Sequence, residues 1–200
     1  MIVKAVGAGV ALGFLDFVWI KFVPFPFGGL GNSIAVWAVA AFLLTYYARW
    51  SMLRGATAAV IMQVVAVPSY YVAASLIQRD DWANLWAASS LIWMGLAVVA
   101  GVVFGIGGVL ARTPGRLRIP ALALPGAVLL AELIIELTRL GNPDYPTASI
   151  VEYSVLLAAL ALLVTAVTGR TWRDRALALA GAIPLAGAGY RLMIATAFGG

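Results

Sequence analysis

Apolar residues along this chain do not alternate with polar ones; they run on for a score of positions at a time. Seven such runs can be marked: Ile2–Val23, Ser33–Ala48, Gly55–Ile77, Ala87–Ala111, Ile119–Leu140, Ser149–Thr168 and Ala176–Phe198. An α-helix needs about 20 apolar residues to cross roughly 30 Å of hydrocarbon, and only the second run falls clearly short of that. In lipid every backbone group must be bonded within the structure, so uninterrupted runs of this kind read as helices. The expected architecture is all-α: a polytopic membrane helical bundle of seven transmembrane helices, forming one domain over residues 1–200.

The links between the runs are of two kinds, and they alternate. "ARWSMLRG", "ARTPGRLRIP" and "GRTWRDRA" are basic, whereas "PFPFGGLGN", "QRDDWANLW" and "GNPDYPT" are rich in Pro, Gly and aromatic residues. With Lys4, the basic side holds Arg49, Arg54, Arg112, Arg116, Arg118, Arg170, Arg173 and Arg175, against Lys21, Arg79, Arg139 and Arg191 on the other. The positive-inside rule then predicts a cytoplasmic N-terminus and an outer C-terminus.

Composition agrees with lipid as the solvent. Hydrophobic residues make up 64% of the chain and charged residues 10%, with a mean hydropathy of +1.01, whereas soluble domains run near a quarter charged. The net charge of +5 is spread between the apolar runs rather than gathered on one polar surface, so it points to membrane orientation and not to nucleic acid. The absence of cysteine and histidine leaves no disulfide, thiol nucleophile or His-ligated metal, so no metal and no cofactor is expected. The first run carries Asp16 and Lys21 and lacks a small-x-small cleavage site, unlike a cleaved signal peptide. No Walker loop, dinucleotide fingerprint or G-x-S-x-G element is present. Gly9 and Gly13 in the first run, and Gly101, Gly105 and Gly108 in the fourth, are spaced to let helix backbones approach closely. Pro68 and Pro184 are expected within helices, and Asp80 and Asp81 at the start of the fourth, where negative charge suits the helix dipole.

Orientation converts sequence into depth. Asp16, Glu132, Glu152 and Arg191 are expected at one level in the outer half, on four different helices. Trp19, Asn32, Trp37, Tyr70, Tyr71, Trp93, Tyr153 and Tyr190 fall in the same zone, while the inner half is nearly all Ala, Val, Leu and Gly apart from Gln63. A carboxylate at membrane depth is expensive unless protonated, paired or wet, and such residues usually face the bundle interior. These groups therefore predict an enclosed pocket toward the outer face. Glu132, Glu136 and Arg139 share one helix face at i, i+4 and i+7. Glu136 and Arg139 read as an ion-paired rim. Glu132, one turn deeper, is the best candidate for a carboxylic acid kept protonated near neutral pH, because burial disfavours the charged form. Arg191 is placed to pair with Asp16, Glu132 or Glu152, or to hold an anionic ligand group.

At "PSYYVAASL", "WMGLAVVAGVVFGIGGVLAR" and "LLAELII" the chain resembles a family of small, Ala-rich integral membrane proteins of actinobacteria. The likeness rests on Tyr70 and Tyr71, on Trp93 followed by Gly101, Gly105, Gly108 and Arg112, and on Glu132. It implies a bacterial inner-membrane protein, and it lends no catalytic residues.

Two functions fit these features. One is a membrane-embedded enzyme for acid-initiated cyclisation or isomerisation of an isoprenoid-like substrate, similar in architecture to seven-helix membrane-bound terpene cyclases. Glu132 would be the acid and Asp16 or Glu152 the base, with aromatic faces to stabilise a cation. The other is a small-molecule-binding membrane subunit of a transporter, like the substrate-binding component of a vitamin uptake system. The links "PFPFGGLGN" and "GNPDYPT" would form its lid, with Arg139, Asn142 and Arg191 as polar contacts. Either way the expected partners are membrane lipid and a hydrophobic or amphipathic small molecule.

Overall fold

The computed structural model describes residues 1–195. They form helices α1 (Ile2–Phe22), α2 (Ile34–Ala48), α3 (Met52–Gln78), α4 (Ala88–Arg112), α5 (Arg118–Thr138), α6 (Thr147–Thr168) and α7 (Trp172–Ala195). Short 3₁₀ turns at Phe27–Asn32 and Trp82–Trp86 precede α2 and α4. Each helix occupies one of the seven apolar runs; the end of the last run, beyond Ala195, lies outside the described residues. Five helices, α1, α3, α4, α5 and α6, are long and apolar enough to cross a membrane, which makes this a multi-pass membrane protein. The other two differ for separate reasons: α2 has only 15 residues, and α7 carries Arg173, Asp174, Arg175 and Arg191.

The interior is built from small side chains and the exterior from large ones. Ala5, Ala35, Ala41, Ala58, Ala59, Ala66, Ala73 and Ala182 are fully buried, while Val3, Leu53, Ile183 and Leu192 stand out at 67–85% exposure. Lipid tails are as apolar as leucine, so burying large side chains gives little between helices, and close backbone contact drives the packing instead. The glycines show this directly. A Cβ on Gly13 of α1 would overlap the Ala66 carbonyl of α3, and one on Gly101 of α4 would come within 2.6 Å of the Val60 Cα. Thus α3 is gripped on two sides by glycine-bearing faces. Gly108 faces α2, where a Cβ would strike the Thr45 hydroxyl and the Phe42 carbonyl. Further along the chain, α5 packs with both α6 and α7, and α2 touches α3, α4 and α5. Helix α4 also packs against α5, so α2 and α4 together join the two halves of the bundle.

Prolines 68 and 184 lie inside α3 and α7 as expected, and Pro125 lies inside α5. The expectation for Asp80 and Asp81 is corrected. Asp81 Oδ1 accepts from the Ala83 N–H at 2.9 Å and so caps the 3₁₀ turn, while α4 starts after Ala87 with no side-chain cap. The basic links meet at one end. There Arg118 donates to both carboxyl oxygens of Asp174, at 3.0 and 2.6 Å. Thr171 and Asp174 bond each other's backbone N–H at 3.1 and 3.2 Å, a capping box that starts α7.

Gly108→Val is expected to destabilise the bundle by about 1–3 kcal/mol through overpacking at Thr45 and Phe42, read as a lower midpoint in thermal unfolding of the detergent-solubilised protein. The Arg118 guanidinium holds the Asp174 carboxyl below its usual value of 3.8. A depressed carboxylate contributes stability that is complete above pH about 4 and lost as pH falls through the lower folded-state value. Asp174→Asn should accordingly lower the unfolding midpoint at neutral pH and flatten its decline in acid.

Candidate functional site

Helix α2 begins inside the bundle, and its first backbone N–H groups have no partner within the helix. Water would satisfy them at a surface; in hydrocarbon other protein groups must do so. Ser33 takes the cap position, its Oγ accepting from the Val36 N–H at 3.1 Å. The Ala35 N–H donates instead to Glu132 Oε2 of α5 at 3.0 Å, and the Ser33 hydroxyl donates to that same oxygen at 2.9 Å. The other carboxyl oxygen, Oε1, lies 2.9 Å from the Tyr153 hydroxyl of α6. That hydroxyl is also 3.1 Å from the Gly29 carbonyl in the 3₁₀ turn. Glu132 thus joins α2, α5, α6 and the first 3₁₀ turn. It has no cation partner among the ion pairs of the described residues, Arg118–Asp174 and Arg139–Glu136.

A half-open cavity of about 360 Å³ adjoins this corner. Glu132, Gly29 and Tyr153 line its deep side, with Ile135 and Ile150, which are buried, and Ile34. Phe25, Asn32, Glu136, Arg139, Tyr145 and Ser149 line its mouth. Arg139 Nη1 donates to Glu136 Oε1 at 2.7 Å, and its guanidinium lies 5.0 Å from the centre of the Tyr145 ring. The Phe25 and Tyr153 rings are 6.2 Å apart. Asn142 is not a ligand contact here: its Oδ1 accepts from the Asp144 N–H at 3.0 Å and shapes its own turn.

The depth reading therefore brings together Glu132, Glu136, Arg139, Asn32 and Tyr153. Other candidates lie elsewhere. Asp16 is buried on α1 against the opposite side of α2, where the Trp37 side chain is its hydrogen-bond partner. Tyr70 is close to Asp16 and packs edge-on against Phe17 at 5.4 Å and Tyr71 at 5.5 Å. This second cluster does not line the cavity. Glu152 is exposed on α6, the side of that helix away from buried Tyr153. Trp93 is 38% exposed on α4, and Trp19 spends its indole N–H on the Phe27 carbonyl at 2.7 Å. Tyr190 is half-buried and Arg191 exposed on α7. Neither Asp16, Glu132 nor Glu152 pairs with Arg191 among the described residues, since the ion pairs there are the two named above. The links "PFPFGGLGN" and "GNPDYPT" supply Phe25 and Tyr145 to the mouth, while Ser33 and Ser149, small polar residues at or near helix starts, are the ones that sequence reasoning missed. A further cavity of about 370 Å³ lies at the basic end, lined by Arg118, Arg170 and Asp174 among others, where Asp174 already occupies the Arg118 fork.

The chain belongs to the Family of unknown function (DUF6518), whose model matches residues 1–197. Like the family that the chain resembles, it has no assigned activity. No curated protein and no solved structure matches the chain.

Glu132→Ala should destabilise the protein by about 2–6 kcal/mol, since it strands the Ala35 N–H and the Ser33 hydroxyl, each buried donor without a partner costing about 1–3 kcal/mol, while the Tyr153 hydroxyl keeps the Gly29 carbonyl as its acceptor. Glu132→Gln keeps an acceptor for Ala35 and Ser33, so its unfolding midpoint should stay within a few degrees of the native protein. Equal losses for the two variants in a thermal-unfolding assay would contradict the capping role.

Proposed function

We propose that the protein is a small-molecule-binding multi-pass membrane protein that holds an amphipathic ligand in the cavity beside Glu132. In this reading seven helices cross a bacterial inner membrane, with the N-terminus inside, the C-terminus outside and the cavity opening outward. The observation that carries it is the lining: a polar and charged mouth over a buried aromatic and aliphatic interior. Ligand sites are commonly apolar clefts of about 300–1,000 Å³ with a few polar groups that fix orientation. Gathering nine of thirteen Lys and Arg residues on the opposite side from this mouth supports the orientation. An uptake or sensing role fits a pocket that faces the exterior, as in the substrate-binding subunits of transporters.

An acid-initiated isoprenoid enzyme is the second reading, favoured by the contact of Glu132 with Tyr153 at the cavity's deep side. Such a reaction asks for a base across the substrate from the acid. The carboxyls on this cavity, Glu132 and Glu136, are one turn apart on the same helix. That arrangement supports binding better than proton transfer.

Ser149→Trp, placed at the mouth, should fill the cavity and weaken any copurifying small molecule at least tenfold, measured by native mass spectrometry of the detergent-solubilised protein. A ligand released in chemically altered form would move the reading to the enzyme. The chain has no cysteine, so single replacements report orientation cleanly. Asp144→Cys should react with an impermeant maleimide on intact cells, and Arg116→Cys only after lysis; the reverse pattern would invert the bundle.

A further inference from the structure

With Glu132 as a carboxylate, the corner at the deep side of the cavity makes four polar contacts with only three hydrogens. Tyr153 Oη lies 3.1 Å from the Gly29 carbonyl oxygen and 2.9 Å from Glu132 Oε1, yet it carries a single proton. The other two donors, the Ser33 hydroxyl and the Ala35 N–H, both serve Oε2. Whichever oxygen takes the tyrosine proton, the other is left facing a lone pair. Protein cations do not make up the deficit: Arg139 is turned to Glu136 and to the Tyr145 ring, and Arg118 is held by Asp174. The charged groups on the cavity are two carboxyls against one guanidinium, beside the rings of Phe25, Tyr145 and Tyr153.

We infer, building on the binding reading above, that the ligand of this pocket is a small organic ammonium whose N–H donates to Glu132 Oε1 while its apolar body lies against Phe25, Ile34 and Tyr153. An ammonium brings both things this corner lacks, a hydrogen and a positive charge. Aromatic faces attract the same charge, the more so out of water. A carboxylate or phosphate would add acceptors where acceptors are already in excess. A neutral alcohol brings a donor without the charge.

The test uses three probes of one chain length, n-butylammonium, butyrate and n-butanol, titrated against the full chain in detergent by calorimetry and thermal shift. The expected result is butylammonium binding at least tenfold tighter than either of the others. Glu132→Gln supplies the missing hydrogen permanently, so it should abolish that preference, while Arg139→Gln at the mouth should retain it. If Glu132→Gln does not fold, Tyr153→Phe carries the test: it removes the competing hydroxyl and keeps the ring, so ammonium binding should persist, and its loss would overturn the inference. Butyrate or butanol binding as tightly as the ammonium, or an undiminished preference in folded Glu132→Gln, would overturn the ammonium assignment and leave the pocket reading standing. No binding by any probe, together with Ser149→Trp behaving as native, would overturn both.

Discussion

The end of this bundle opposite the basic links depends on the bond from the Ala35 N–H to Glu132 Oε2. A helix that starts within hydrocarbon exposes backbone donors that no lipid can satisfy. Ser33 meets one of them from its own side chain, but a cap residue reaches only its own helix. The second donor needs an acceptor from a neighbour, and a carboxyl on α5 provides it. Glu132 is therefore not an ionisable group stranded among leucines. It is the continuation of α2's hydrogen-bond ladder by another helix, and the Tyr153 contact extends that continuation to α6.

The start of α2 is held from its other side as well. Asp16 of α1 meets the Trp37 side chain, and Gly31 just before the helix lies so close to the Asp16 carbonyl that a Cβ there would sit 3.0 Å from it. Two acids at similar depth on two helices thus brace one helix terminus from two directions, where the dipole favours negative charge and polar acceptors. The glycine faces that clamp α3 between α1 and α4 keep α1 near enough to do so. Close backbone packing in one half of the bundle and carboxyl capping in the middle are parts of one solution.

Depth was legible in the sequence, and azimuth was not. Continuous apolar runs marked the seven helices, and alternating basic links ranked residues from one end to the other. This is how Glu132, Tyr153, Glu136, Arg139 and Asn32 came to be grouped, as the cavity groups them. Depth alone says nothing about which way a side chain points around its axis, nor about which helices are neighbours. Asp16 shares a level with Glu132 but belongs to the α1 side of α2, and Glu152 is next to Tyr153 in sequence yet faces outward. On helices whose buried residues are mostly alanine, with little difference in polarity between faces, hydrophobic periodicity cannot supply the missing angle. Phe25 and Tyr145 can be assigned from sequence only to their links, because loop residues have no helical period to place them.

The shortness of α2 has a geometric corollary. Fifteen residues rise about 22 Å at about 1.5 Å each, roughly a turn and a half less than the hydrocarbon thickness. Glu132 and Tyr153 meet its first turn, and α5 and α6 run on past them to Thr138 and back to Thr147. Both neighbours thus continue past the point where α2 begins and leave a space there. The 3₁₀ turn Phe27–Asn32 folds across part of that space, and the cavity is what it leaves open. A hole in a helical bundle need not be carved by bulky side chains standing apart; here it is a helix that begins late.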